Sequence, residues 1–363
     1  MPLPIVDHPD SLTAAWLTDA LTTAGHLIDG KVATVDAVPL GTGQMCDSVR
    51  VRVTYEGETD APDSFVAKFP SADESSRLTA QLMRSYEKEV RFYQHLATEL
   101  PINTPAPYYA DIDLGTGSFI LLLEDRSPAV QGDQIAGCNP EVAAEAVLEL
   151  ANLHAPRWGI TDVGEHDWLA RPTEDQKGLL AASLPMLWDE FKRRYDGAIE
   201  ATLTRAGDTF FTHIANFLDA DLIGTAITHT DYRLDNLLFL PGAFEGTASA
   251  RPTVVDWQTV AVGCPAHDVG FFLGTGLTTG DRRSIEGDVL SAYHRALVAA
   301  GVTDYSARDL ENEYRRGAWA GFILLVGAAV LVERTERGDE MFLTMLHRCA
   351  RHAIDLDADE TIR

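Results

Sequence analysis

Residues 10–26, DSLTAAWLTDALTTAGH, return an apolar side chain every three to four positions, at Leu12, Trp16, Leu17 and Leu21. That is the period of an amphipathic helix, and Gly25 is placed to stop it. The period then shortens to two. Residues 34–40, 48–55 and 64–69 read as strands, the second with Val49, Val51 and Val53 on one face and Arg50, Arg52 and Thr54 on the other. Glu56-Gly57-Glu58 reads as a turn between two of them. Over residues 75–99 the spacing predicts one long helix, with Leu82, Tyr86, Val90, Tyr93 and Leu96 near one face. Pro101, Pro105 and Pro107 end it. Gly115-Thr116-Gly117 then turns into Phe119-Ile120-Leu121-Leu122-Leu123, whose unbroken apolar run fits a buried strand.

After Glu124 helical periods take over, at 140–155, 178–204, 207–217, 282–300, 307–335 and 338–353. One stretch, 222–262, interrupts them with short β-type runs at 236–240 and 253–255 around the loop-like PGAFEGTASARP. The apolar segment 318–332, AWAGFILLVGAAVLV, has 15 residues. A membrane span needs roughly 20, so a fully buried core helix is expected instead. These patterns predict an α+β protein in two parts. Residues 1–124 form a small β-rich N-terminal lobe with one long helix. Residues 125–363 form a larger, mainly helical C-terminal lobe.

Composition narrows the function classes. Hydrophobic residues make up 45% and charged residues 23%, the balance of a globular protein rather than a disordered, collagen-like or disulfide-scaffold chain. Against 29 Lys and Arg stand 55 Asp and Glu, a formal charge of −26 spread through both halves. Nucleic acid and anionic membranes are therefore not expected as partners, because phosphate backbones call for clustered positive charge. Cys46, Cys138, Cys264 and Cys349 are far apart and lack zinc-site spacing, so buried or free thiols are expected. The opening MPLPIVDHPD has neither a basic nor an apolar leader segment, which gives a cytoplasmic expectation.

Four features carry candidate chemistry. The first is Leu40-Gly41-Thr42-Gly43-Gln44-Met45-Cys46-Asp47-Ser48, between two strands. Glycines let a backbone approach a phosphate with its N–H groups forward, although two glycines also suit an ordinary hairpin. The second is Lys68, inside the apolar strand Phe65-Val66-Ala67-Lys68-Phe69. A lysine there needs either a partner, with Glu87 and Glu89 the candidates, or a path for its head to water. The third is Ile227-Thr228-His229-Thr230-Asp231-Tyr232-Arg233-Leu234-Asp235-Asn236-Leu237-Leu238-Phe239, a dense polar loop between apolar flanks. The fourth is Asp256 in Val254-Val255-Asp256-Trp257-Gln258, at the end of a β-type run. A hairpin would bring Asn236 and Asp256 together as oxygen ligands for a hard cation such as Mg²⁺.

The order of glycine loop, strand lysine, helix glutamate, HxDxxxxN and Asp after a strand resembles the protein-kinase-like phosphotransferases. The forms HTDYRLDN and VVDWQ, with LLLEDRS, LANLHAPRW and DWQTVAVGCPAHDVGFFLG, are similar to the aminoglycoside phosphotransferase family and its choline kinase and ecdysteroid-kinase-like relatives. The resemblance covers roughly residues 35–275. It implies a two-lobed protein-kinase-like fold and ATP- and Mg²⁺-dependent transfer of the γ-phosphate to a small-molecule hydroxyl. Asp231 would be the catalytic base and Arg233 a neutraliser of the γ-phosphate. Asn236 and Asp256 would hold Mg²⁺. Lys68, paired with Glu89, would hold the ATP phosphates under a loop containing Gly41, Gly43 and Ser48, and Glu124 would lie at the hinge along the adenine. Asp268 would brace the catalytic loop, and His154 is expected to pack rather than ligate. Thr230 stands where many relatives carry Gly.

The acceptor is left open. An aminoglycoside would suit the acidic charge, with Asp189 and Glu190 as candidate partners for its amines. An apolar hydroxylated metabolite such as a sterol, macrolide or hydroxyacyl compound would suit Trp188, Phe191, Tyr195, Trp319 and Phe322, which are equally ordinary core residues. A catalytically silent binding module is the rival of another class, although Lys68, Asp231, Asn236 and Asp256 are all present. The oligomeric state is not encoded in any of these patterns.

Overall fold

The computed structural model describes residues 3–41, 45–331 and 334–363. The chain divides into two compact units. One comprises Met1–Ser127 with Val255–Thr259, the other Pro128–Val254 with Val260–Arg363.

The first unit is built on a five-stranded antiparallel sheet. Its strands are β1 (Lys31–Pro39), β2 (Cys46–Glu56), β3 (Ser64–Pro70), β4 (Pro107–Ile112) and β5 (Phe119–Glu124), in the order β1-β2-β3-β5-β4. Alternation sets its faces. Val49, Val51 and Val53 are buried, as are Phe65, Ala67 and Phe69, and they pack with Trp16, Leu17, Ala20 and Leu21 of α1 (Ala14–Thr23). Thr13 caps that helix by accepting from Trp16 N. Lys68, one residue out of phase with Ala67 and Phe69, belongs to the opposite face.

The single helix expected over 75–99 is two: α2 (Glu74–Leu82) and α3 (Ser85–His95). Arg84 between them has φ +56°, a left-handed conformation that no continuous helix contains. The break re-aims the chain. Leu82, placed by periodicity with Tyr86, Val90, Tyr93 and Leu96, is 78% exposed while those four are buried. Strand β4, entered at Pro107, was hidden by the proline cluster.

The second unit contains α4 (Pro140–His154), α5 (Glu174–Arg194), α6 (Ala201–Thr212), α7 (Ile214–Leu218), α8 (Pro265–Gly276), α9 (Thr279–Ala299), α10 (Ala307–Gly317), α11 (Ala320–Leu331) and α12 (Glu336–Asp355). The pattern expected over 178–204 resolves into α5 and α6, and that over 307–335 into α10 and α11. Helix α8, which no period announced, has every residue buried except His267, which is half-buried with its ring Nε2 enclosed. Its Gly270 lies against the backbone of Gly317, where an added Cβ would come within 2.8 Å. Helix α11 is less buried than expected: Ile323, Leu324, Ala328 and Val330 remain partly exposed. Among the described residues no helix is long and apolar enough to cross a membrane. All four cysteines are buried free thiols.

Short strands hold the polar loop. β6 (Val130–Gln131), β8 (Leu237–Phe239) and β9 (Thr253–Val254) form one small sheet, with Leu237 paired to Val254 and Leu238 to Thr253. β7 (Ala226–Thr228) pairs with β10 (Ala261–Gly263).

Candidate functional site

In the first unit the geometry centres on Lys68. Its Nζ donates to Glu89 Oε1 at 2.5 Å and lies 3.9 Å from Asp256 Oδ1. Glu89, from α3, is fully buried, so the pair is an interior one, and Glu89 rather than Glu87 is the partner. Burial alone would push the Lys68 ammonium down, but Cys46, Glu89 and Asp256 around it outweigh that and hold it well above the usual lysine value. Ser48 stands directly across the β2–β3 ladder from Lys68. Gly41 has φ +61°, which favours glycine at the entry to the loop. Gly43 lies outside the described residues. Glu124 ends β5 with its carboxylate on Arg126 Nη1, at 3.0 and 3.1 Å, and accepts from Ala106 N at 3.2 Å.

Segment 255–259 brings three consecutive side chains to this unit. Trp257 stacks on Phe92 of α3 with ring centroids 3.7 Å apart, and its Nε1 donates to Thr104 Oγ1 at 3.1 Å. Gln258 Nε2 donates to Glu89 Oε2 at 3.2 Å and approaches Cys46 Sγ at 3.5 Å. Asp256 itself has φ +66°, a conformation that costs a non-glycine residue of order 1–2 kcal/mol. Its Oδ1 is buried and accepts no hydrogen bond.

In the second unit the loop after β7 gathers Asp231, Arg233, Asp235 and Asn236. Arg233 Nε donates to Asp231 Oδ1 and Oδ2 at 3.1 and 3.3 Å, while its Nη1 donates to Asp235 Oδ2 at 2.7 Å. Asn236 Nδ2 donates to Asp231 Oδ2 and to the Asp231 carbonyl, both at 2.9 Å. The loop is therefore clasped on itself, with the Asp231 carboxylate fixed from two sides.

Two buried supports hold this loop. Asp268 on α8 accepts from His229 N at 2.7 Å and from Thr230 N at 2.9 Å, and His154 Nε2 reaches its Oδ2 at 3.3 Å. His154 Nδ1 meets the Tyr293 hydroxyl at 2.7 Å, so His154 orients Asp268. Thr230, in the position flagged by sequence, has φ +64°. The second support is Gln134, which sequence reasoning missed. It is fully buried, accepts from Leu234 N at 2.8 Å through its side-chain oxygen, and donates to Thr275 O at 2.9 Å. Its backbone N donates to Asp235 Oδ1 at 3.0 Å. The run Gly132-Asp133-Gln134 carries no periodic signal that could have singled it out.

The residues considered for an acceptor fall elsewhere. Trp188, Phe191, Tyr195, Trp319 and Phe322 are buried in one core cluster. Asp189 pairs with Lys192 at 3.0 Å, and Glu190 pairs with Arg193.

Residues 47–315 match the sequence model of the phosphotransferase enzyme family. A comparison with curated protein sequences returns no significant match. Among solved structures, choline kinase from Cryptosporidium parvum Iowa II aligns over 89% of each chain at 9% identity, with a TM-score of 0.53. A microcompartment-associated aminopropanol kinase aligns over 96% of this chain and 99% of its own at 15% identity, TM-score 0.50. The GDP complex of aminoglycoside 2'-phosphotransferase-IIIa aligns over 93% and 99% at 14% identity, TM-score 0.50. The fold is thus the α+β, protein-kinase-like one of small-molecule kinases.

Proposed function

Since the chain belongs to the phosphotransferase enzyme family, we propose that it moves the γ-phosphate of ATP to the hydroxyl of a small molecule. The observation that carries this reading is the buried Lys68–Glu89 pair beside Asp256, together with the clasped Asp231–Arg233–Asn236 loop. A lysine held charged inside the protein is suited to phosphate oxygens, and Ser48 stands directly across the β2–β3 ladder from it; the loop containing Gly41 and Gly43 is proposed to cover the phosphates. Glu124 is proposed at the adenine side, acting through its backbone, because its carboxylate is committed to Arg126.

Transfer forms a bond between the acceptor oxygen and the γ-phosphorus and breaks the bond from that phosphorus to the β,γ-bridging oxygen. ADP leaves, and the acceptor proton passes to Asp231. Asp231 is proposed to orient the hydroxyl and take that proton. Arg233, which donates to Asp231, is proposed to offset charge on the transferring group. Little else is required of the protein, since phosphoryl transfer depends on alignment and charge neutralisation.

Asn236 and Asp256 are the proposed ligands for Mg²⁺. The residues fit a hard cation. Asp256 Oδ1 is buried without a hydrogen-bond donor. Asn236 spends its amide nitrogen on Asp231, which leaves its oxygen as the ligating end. Bound there, Mg²⁺ would neutralise charge on the phosphates.

The test is an ATP-consumption screen over amino-sugars, sterols, macrolides and hydroxy acids, with Asp231→Ala as the blank. Consumption that depends on one acceptor and disappears in the variant supports the reading. Near wild-type turnover by Asp231→Ala removes Asp231 as the base. No Asp231-dependent consumption with any acceptor favours a silent binding module instead.

A further inference from the structure

The motif residue Gln258 has no part in the chemistry above, yet it sits at the centre of the first unit's polar cluster. It is 8% exposed, beside a Glu89 that is fully buried. Glu89 presents two oxygens. Lys68 takes Oε1, and Gln258 Nε2 reaches Oε2 at 3.2 Å. Because a carboxylate only accepts, the amide nitrogen must be the group that faces it. The same nitrogen lies 3.5 Å from Cys46 Sγ, a weak acceptor on β2. One side chain therefore links α3, β2 and the segment that carries Asp256.

Two further facts give that link a consequence. Asp256, two residues earlier, holds a left-handed backbone at φ +66°. A strained conformation persists only where its surroundings over-determine it, and the neighbours that pin it are Trp257 on Phe92 and Gln258 on Glu89. The cluster also contains one cation, Lys68, against the carboxylates Glu89 and Asp256, with the thiol of Cys46 and the phenol of Tyr93 close by. A neutral donor at 258 fastens Glu89 without adding a third anion. A carboxylate in the same place would compete for Lys68.

We propose that Gln258 is a positioning residue for nucleotide phosphates: its amide locks Glu89 onto Lys68 and fixes the Asp256 segment against α3. This rests on the reading of Lys68 as the phosphate-holding lysine.

The test is calorimetric binding of Mg·ATP and, by competition, of adenosine to the full chain. Gln258→Met keeps length and volume and removes the donor. It should weaken ATP about tenfold, the loss expected for a hydrogen bond to a charged group, and leave adenosine unchanged, since adenosine has no phosphate for Lys68. Gln258→Glu should weaken ATP further. A buried substitution can lower melting temperature whatever its role, so coupling decides. In a Glu89→Ala background, Gln258→Met should produce no further loss. If Lys68→Ala weakens ATP while Gln258→Met binds within twofold of the unmodified chain, the inference is overturned and the nucleotide site stands. Equal losses for ATP and adenosine, or losses that multiply in the double variant, overturn it as well. If Lys68→Ala leaves ATP affinity unchanged, the nucleotide site and the inference fall together.

Discussion

Asp268 offers the sharpest test of how the Asp231 loop is held. Its carboxylate is 2% exposed and accepts from two backbone N–H groups, His229 at 2.7 Å and Thr230 at 2.9 Å, as well as facing His154. A hydrogen bond to a charged group contributes about 1.5–3 kcal/mol. Asp268→Ala removes both backbone bonds and should cost about 4 kcal/mol. Asp268→Asn preserves the shape but has one accepting oxygen, so one of the N–H groups or the His154 ring must face an amide NH₂. Its cost should be about 2 kcal/mol. For a unit of this size each kcal/mol lowers the melting temperature by about 2–4 °C, which gives about 4–8 °C for Asn and twice that for Ala. Differential scanning calorimetry reads the shift, and ATP turnover on an acceptor found by screening reads its effect on the loop. Thr230 N is one of the bonded groups and Thr230 is in a left-handed conformation. Relaxation there moves Asp231, so turnover should fall by more than the folded fraction does. An Asn variant that melts within 1 °C of the parent with full turnover would refute the brace.

Three further outcomes follow from single features. Thr230→Gly relieves a β-branched residue at φ +64°; after the entropy glycine costs in the unfolded chain it should stabilise by about 0.5–1 kcal/mol, and a lower melting temperature would contradict this. Mg²⁺ should strengthen ATP binding in calorimetric titration, and Asp256→Asn should weaken that dependence most, since its buried Oδ1 has no donor; equal affinities with and without Mg²⁺ count against the metal site. Burial, with Arg316 nearby, pulls His267 down to about 4 from 6.5, and burial likewise pulls His352 well below the usual value. Between those values the unfolded chain binds protons that the folded one does not, so this stability is complete above about pH 6.5 and is lost as pH falls toward 4. His267→Phe, which can keep the stack on Phe217, should flatten that acid limb in urea titrations; an unchanged limb would show that His267 does not contribute.

The sequence by itself determined what depends on local period and local chemistry. Alternation placed Val49, Val51 and Val53 on the buried face, and a lysine inside the apolar strand 65–69 called for either a partner or a path for its head to water. The crowding of His229, Asp231, Arg233 and Asn236 between apolar flanks marked the loop, and the resemblance to the phosphotransferase family marked Thr230 as a departure within it. Tertiary structure decided the rest, because its causes lie far along the chain or outside any period. Helix α8 is buried nearly all round and packs glycine to glycine against α10, so it has no polar face for a period to reveal. The Arg84 break is a single backbone dihedral that no hydrophobic pattern encodes, and it turned Leu82 out to solvent. Gln134 and Asp268 meet the loop from 100 and 39 residues away in sequence, and His154 backs Asp268 from 114 residues away. Their roles are set by the need of buried N–H and carboxylate groups for partners. The return of residues 255–259 to the first unit has the same origin. Trp257 finds Phe92 and Gln258 finds Glu89 only after the chain has folded, and a five-residue segment is too short to announce by composition which of the two units it completes.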